Sequence, residues 1–362
     1  MKEFTKKILR YINVFLSMIL RKKYTKIINV TKDIANQTLE EFSPAPSGNV
    51  RCVNEIVNFN YDLQIIVPVY NNELFIEECL NSILKQKTKY KFLVVVINDG
   101  SNDKTKSIID KYQDIENILI INQENRGHSG ARNSGLEKIY AKYIAFVDSD
   151  DFIEPNFVED MLNNAFKYDL DIVQGGYYRL KNNKKKVEKK YKEKIIEPLG
   201  NLTGFPWAKV WKSNIFKNLH FPENYWYEDS IFSFLIYPQK YKTMLISEIV
   251  YNYRYNVNGI SVTSINQPKC IDTYWITRML MNEYNNLNLP INNDYYCKIL
   301  RQIVLNYKRT IKLPEEIQQC IFVLTRDLLL EMPPMPSKYQ KIDIAIRNSD
   351  WGIFKKICKY YF

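Results

Sequence analysis

Glycine is scarce in this chain, 11 in 362 residues, and histidine is nearly absent, with only His128 and His220. The six cysteines, Cys52, Cys79, Cys270, Cys297, Cys320 and Cys358, form no C-x-x-C pair. Neither a zinc site nor a disulfide framework has its ligands here, and the cysteine usage fits a reducing, cytoplasmic setting. No segment reaches the ~18 uninterrupted apolar residues that a bilayer-spanning helix requires. The start of the chain does not read as a secretory signal, because Arg10 and Asn13 interrupt its apolar stretch and no small-residue cleavage site follows. No G-x-G-x-x-G follows the first predicted strand and no G-x-x-x-x-G-K-[ST] occurs, so dinucleotide and P-loop readings lack their phosphate cradle.

What is present is ample apolar material, 46% of the chain, for a buried core. The formal charge is +11, but it is local. Residues 1–26 carry eight Lys or Arg against Glu3, and residues 181–194 carry eight Lys against Glu188 and Glu193. These segments contribute +7 and +6, which leaves −2 for the rest. A near-neutral body argues against nucleic acid as a partner, and localised basicity suits an anionic surface such as the inner face of a membrane. In the first segment Lys6, Arg10, Asn13, Ser17 and Arg21 recur every three or four positions and leave Ile8, Ile12, Phe15 and Ile19 on the opposite face. That spacing predicts an amphipathic helix able to lie in a membrane interface, which would make the protein peripheral on the cytoplasmic face. The alternative is packing on the protein itself or on a second subunit, as in a homodimer.

From Leu63 onward, strand-like and helix-like runs alternate, which predicts βαβ units and a mainly parallel α/β sheet flanked by helices. Strands are expected over 63–69, 92–97, 118–121, 143–147, 171–178 and 244–255. Helices are expected over 73–86, 103–112, 129–140 and 155–168, and near 228–237. Residues 27–60 read as a connector, 181–194 as a lysine-rich hairpin or loop, and 268–362 as mostly helical. The expected domains are therefore 1–60, 61–265 and 266–362.

The most informative stretch is Tyr143-Ile-Ala-Phe-Val147 followed by Asp148-Ser149-Asp150-Asp151. An apolar run of this kind reads as a strand buried on both faces, and ligands in open α/β sheets collect outside the carboxyl ends of such strands. Clustered acids repel one another unless a cation or hydrogen-bond donors share the site, which points to Mg²⁺ or Mn²⁺ held together with substrate phosphates. The competing reading is an acidic cap for the helix that begins near Pro155. The earlier strands also end in polar residues: Pro68-Val69-Tyr70-Asn71-Asn72-Glu73, then Asn98-Asp99-Gly100-Ser101. The third leads into Asn125-Arg126-Gly127-His128-Ser129-Gly130-Ala131-Arg132-Asn133, whose glycines allow close backbone approach and whose arginines suit phosphate.

In this order and spacing, the motifs resemble the family 2 inverting glycosyltransferases, which have a GT-A fold. The resemblance extends through Pro206-Trp207-Ala208-Lys209-Val210-Trp211-Lys212, Tyr227-Glu228-Asp229-Ser230 and Tyr253-Arg254-Tyr255 with Ser261. It implies a UDP-sugar donor, a divalent metal, and a glycan or polyprenyl-linked acceptor in bacterial surface-polysaccharide synthesis: capsule, lipooligosaccharide or teichoic acid. By the same resemblance, Tyr70 stacks on uracil, Asp99 binds its N–H, and Asp148 holds the ribose. Pro68, Asn71, Glu73, Asn125, Arg132, Ser149, Arg254 and Ser261 line the nucleotide, and Asp150 ligates the metal, with Asp151 as its rival. Asp229 is the general base beside Glu228, a pair that without the other motifs reads as the acidic first turn of a helix. Trp207, Lys209 and Trp226 face the sugar or acceptor, the two tryptophans reading equally as core or loop-anchoring aromatics. Two readings compete with this one. A sugar-nucleotide nucleotidyltransferase would carry a glycine- and arginine-rich loop where Tyr70-Asn71-Asn72 stands. A catalytically inactive membrane-associated binding protein would not need Asp148, Asp150 and Asp229.

Overall fold

The computed structural model describes residues 30–182, 184–256, 264 and 267–360. The amphipathic helix expected over 1–26 and the expected site residue Ser261 lie outside these residues. The chain divides into two compact units, Ser47–Asn256 and a second unit made of the described residues on either side of it. Where the sequence reads as a connector over 27–60, Lys32–Phe42 forms a helix, α1, whose first turn is capped by the Thr31 hydroxyl accepting from the Ile34 amide. Its buried face is only Ala35 and Leu39, too sparse to stand out as a helical stripe in the sequence.

The central unit is built on one sheet. Its first half contains β1 (Glu55–Val69), α2 (Ile76–Leu84), β2 (Phe92–Asp99), α3 (Thr105–Ile109), β3 (Ile118–Gln123), α4 (Gly127–Leu136) and β4 (Lys138–Phe146). Then come β5 (Phe152–Ile153), α5 (Phe157–Lys167), β6 (Ile172–Lys181), β7 (Lys184–Lys189), β8 (Lys194–Ile196), β9 (Lys209–Lys212) and β10 (Thr243–Arg254). The strand order is β3-β2-β1-β4-β9-β6-β10-β5, with β7 paired to β6 and β8 paired to β10. The pairs among β1, β2, β3 and β4 are parallel, as is β6 with β10, while β9 runs antiparallel between β4 and β6. This is the mixed, mainly parallel sheet that the alternating runs predict.

Residues Leu63–Val69 of β1 are buried throughout because β2 and β4 flank them and helices cover both faces. The one polar residue there, Gln64, donates to the carbonyls of Gly135 (2.7 Å) and Lys138 (3.1 Å) and accepts from the Tyr140 amide (2.8 Å). Its amide fixes the passage from α4 into β4, so the helix expected over 129–140 stops at Leu136 and Lys138 onward is strand. Helix α4 lies hard against the sheet: a Cβ at Gly135 would stand 2.6 Å from Ile66 Cγ2. That closeness explains its small residues, and Gly135→Ala would force the helix off the strand.

In the second unit α6 (Asp272–Asn286), α7 (Asn293–Thr310), α8 (Glu315–Leu330), α9 (Gln340–Arg347) and α10 (Trp351–Tyr360) follow. The expected helical region is thus helical, and it has an aromatic core. Tyr284 stacks on Tyr295 at 3.7 Å, and Trp351 packs with Tyr307, Phe322 and Phe354. Trp275 ties this core to the end of α1 by donating its indole N–H to the Ser43 carbonyl at 3.0 Å.

Candidate active site

Strand β4 delivers its acids into a tight turn in which the Asp151 amide donates to the Asp148 carbonyl at 3.0 Å. The two neighbouring acids Asp150 and Asp151 then diverge. Asp151 is 2% exposed. One of its oxygens accepts from the Tyr251 hydroxyl (2.8 Å) and the other from the Arg254 amide (2.7 Å), so it locks the turn to β10. Asp150 remains part-exposed, and its backbone carbonyl accepts from Arg254 Nε at 2.9 Å. Burial, reinforced by the charge of Asp148, pushes the Asp150 carboxyl up to about 6. Burial and the charges of Asp150 and Asp148 push Asp151 well above the usual carboxylate range. Tyr251 also accepts from the Asp148 amide at 3.1 Å, so a single phenol braces both ends of the turn.

Arg132, on α4, is the hub of the site. It is 3% exposed, yet its guanidinium spans two carboxylates from distant parts of the chain: Nη2 to Asp148 at 3.0 Å and Nη1 to Glu228 at 2.7 Å. Burial works against its charge, but the two acids outweigh this and hold its pKa above the ordinary arginine value. The planar fork is what allows one side chain to serve both acids, and the Phe221 ring lies 5.4 Å from its carbon. Its Nε is buried without a hydrogen-bond partner among the described residues.

The loops after β1 and β2 are laced together by side chains. Asn71, with φ of 44°, accepts from the Asn102 amide (2.7 Å), and its own amide donates to Ser101 Oγ. Glu73 accepts from the Lys104 amide at 2.9 Å, and Asn72 donates to Ser149 Oγ at 2.9 Å. Asp99 is buried and accepts from the Gln123 side chain (2.7 Å) and the Arg126 amide (2.8 Å). Pro68 is buried within β1, whereas the Tyr70 ring just beyond it is 47% exposed, at the sheet's carboxyl edge. Asn125 is exposed and accepts from the Gly127 amide at 3.3 Å. Arg254, on β10, pairs with Glu78 at 2.7 Å and lies 4.4 Å from the Phe75 ring.

The segment that bears Glu228 and Asp229 is irregular. Ala208, Asn224 and Tyr227 take positive φ values of 55°, 66° and 65°, conformations that cost non-glycine residues energy and cluster where the surroundings enforce them. The helix expected near 228–237 is a π-type turn, Phe232–Ile236, followed by a 3₁₀ turn at Tyr237–Gln239 with Pro238. Glu228, Asp229 and Trp226 are all part-exposed. Trp207 and Lys209, expected to face sugar or acceptor, do not reach solvent. Trp207 is 3% exposed, stacked on Phe205 (4.6 Å) and Tyr251 (4.7 Å), because it forms the wall behind the acidic turn. Lys209 is fully buried, its ammonium donating to Thr203 Oγ1 (2.7 Å) and the carbonyls of Phe205 (2.6 Å) and Trp207 (3.5 Å). Burial drives its pKa well down, opposed by the charge of Asp229.

Among the described residues no three His, Cys, Asp or Glu side chains converge as a metal cage. The part-exposed Asp150 fits the other mode, in which one or two carboxylates hold an octahedral cation that phosphate oxygens and water complete. Burial first, and the charge of Asp148 second, disfavour the ionised Asp150 carboxylate, and a cation bound there would offset both. Tyr251 is not legible as a site residue beforehand, since in the sequence it is one aromatic among several in an alternating strand.

Comparison with known proteins agrees with this geometry. The profile of the glycosyl transferase family 2 matches residues 64–225. Glycosyltransferase GlyA of Streptococcus pneumoniae is 32% identical over 218 residues, 55% of this chain and 31% of that one. Putative glycosyltransferase EpsH of Bacillus subtilis is 31% identical over 214 residues, 55% of this chain and 62% of that one. The chain thus spans less than two thirds of the length of either. A crystal structure of S. aureus TarS in complex with UDP-GlcNAc superposes with a TM-score of 0.67 at 23% identity, covering 83% of this chain and 91% of that one. Residues 64–225 are thus a glycosyl transferase family 2 domain by the family match, and the sheet order and the TarS superposition give the fold as GT-A.

Proposed function

We propose that the protein is an inverting glycosyltransferase that moves a sugar from a UDP-sugar to a hydroxyl of a glycan or lipid-linked acceptor in bacterial surface-polysaccharide synthesis. The observation that carries this reading is the double ion pair of Arg132. It draws Asp148, at the tip of β4, and Glu228, beside Asp229, to the two ends of one guanidinium. The acids expected on the donor side and on the acceptor side are therefore neighbours. TarS, whose name is poly(ribitol-phosphate) beta-N-acetylglucosaminyltransferase, lends support, being 30% identical over 239 residues, 62% of this chain and 41% of that one.

In this reading Tyr70 offers its exposed ring to the base, Asp99 accepts from it, and Asp148 holds the ribose, with Arg254 near the phosphates. Asp150 would hold Mg²⁺ or Mn²⁺, which when bound supplies positive charge against the departing diphosphate. Asp229 accepts the proton of the acceptor hydroxyl as that oxygen forms its bond to the anomeric carbon. The bond from that carbon to the diphosphate oxygen breaks on the opposite face, and UDP leaves with the electron pair. The configuration is inverted because attack and departure are in line.

Asp229→Asn tests the assignment. Transfer should fall roughly 10²- to 10⁴-fold, the range for loss of a general base, while UDP affinity by calorimetry stays within twofold. Near-normal turnover in a coupled UDP-release assay across a panel of UDP-sugars would remove Asp229 from the mechanism.

A further inference from the structure

The basicity of residues 181–194 takes a definite shape in the fold. Strands β6 and β7 pair antiparallel with Arg179 opposite Lys186 and Lys181 opposite Lys184. Residues two apart on a strand share a face, so these four cations stand together, about 7 Å apart along each strand. Like charges directly opposite one another destabilise a ladder, and little offsets them here. Glu188 approaches Arg179 at 3.5 Å, and no carboxylate pairs with Lys181, Lys184 or Lys186 among the described residues. The Tyr255 ring lies beneath two of the cations, 5.0 Å from both Arg179 and Lys181, and props them outward.

The position of this face is fixed. Arg179 and Leu180 are ladder partners of Tyr253 and Arg254 on β10, and Arg254 Nε donates to the Asp150 carbonyl. Lys185, on the other face, pairs at 2.6 Å with Glu154, four residues past Asp150. The hairpin is therefore pinned beside the acidic turn, one strand from Arg254.

We propose that this four-cation face binds a phosphodiester-linked glycan chain and leads its hydroxyl-bearing end toward the acidic turn. This rests on the transferase reading, and it names the acceptor class. The occupant must carry anions at regular intervals and hydroxyls on the same chain, and compact lysine ammoniums suit phosphate as point charges. A membrane surface fits less well: Val187 is the only exposed aliphatic of β7, and interfacial binding needs a broad apolar face.

The test compares the full chain with a fourfold variant, Arg179→Gln, Lys181→Gln, Lys184→Gln and Lys186→Gln. Fluorescence anisotropy with a labelled ribitol-phosphate oligomer reads binding directly. The variant should bind at least tenfold more weakly, and its log Kd against log salt should flatten by roughly 3, about 0.7 for each phosphate that is no longer neutralised. Its UDP affinity should be unchanged and its Tm equal or higher, since two repulsive pairs are gone. Unchanged oligomer affinity, or no binding by the natural chain, would overturn the proposal. So would a variant defect confined to flotation with phosphatidylglycerol vesicles, or tighter wild-type binding of a single-stranded oligonucleotide than of the glycan phosphate. If the oligomer binds as expected but UDP does not, the transferase reading fails while the surface stands.

Discussion

Residues 63–154 and residues 205–237 each hand one carboxylate to Arg132, Asp148 from the first and Glu228 from the second, but they hold it by opposite means. The first segment is regular: three parallel ladders aim their loops at one edge, and side chain to backbone hydrogen bonds such as Asn71 to Asn102 fix those loops. The second has one four-residue strand, positive-φ residues at Ala208 and Asn224 on either side of Phe221, and a π-type turn. Its order comes from stacked rings and from the buried ammonium of Lys209. Position is over-determined in the first region and rests on a few side chains in the second.

The largest expected effect sharpens that contrast in the regular half. In the metal-free protein the Asp150 carboxyl titrates at about 6 against an ordinary value of 3.8, so the folded state holds the proton more tightly than the unfolded chain. Stability therefore falls as pH rises through that window. Asp150→Asn should abolish this dependence and raise stability at pH 7 by up to about 3 kcal/mol, at ~1.4 kcal/mol per unit. The metal-dependent part of UDP affinity should be lost with it. A urea midpoint at pH 7 that fails to rise would mean the turn tolerates its charges.

The irregular half should yield next. Lys209→Met leaves Thr203 Oγ1 and the Phe205 and Trp207 carbonyls without their donor. A loss of about 2 kcal/mol is expected, roughly 5 °C in Tm for a unit of this size, together with a lower kcat. Thermal unfolding indistinguishable from that of the natural chain would show that the stacked rings hold the segment unaided. The smallest effect belongs to Tyr251→Phe, which keeps the ring on Trp207 and removes the bonds to Asp151 and the Asp148 amide. About 1 kcal/mol of stability and less than tenfold in UDP affinity by calorimetry should go; a larger loss would make the regular half as dependent on one group as the other.

The same contrast decides what the sequence discloses. Parallel strands buried on both faces are continuous apolar runs, and their carboxyl ends are where polar residues must collect, so the tips at Tyr70, Asp99 and Asp148 are visible without coordinates. The order of motifs along the chain carries the family likeness through Glu228. What periodicity does not encode is whether an aromatic or a lysine between loops points outward. In the sequence Trp207 is equally a core aromatic or a sugar-facing one, and Lys209 is acceptor-facing only by resemblance, until Phe205, Tyr251 and Thr203 are placed around them. The divergence of Asp150 from Asp151 is equally hidden, because it depends on a phenol a hundred residues away.

Arg132 has a consequence for anyone wishing to exchange loops among members of this family. Its fork is closed by acids contributed from two separate cassettes, so a transplanted 205–237 segment that arrives without a counterpart to Glu228 strands half of a buried cation. Removing one partner of such an arrangement typically costs about 3–5 kcal/mol, and lysine offers no repair because a single ammonium lacks the flat, two-pronged reach. Chimeras should therefore be cut so that both carboxylates travel with the arginine.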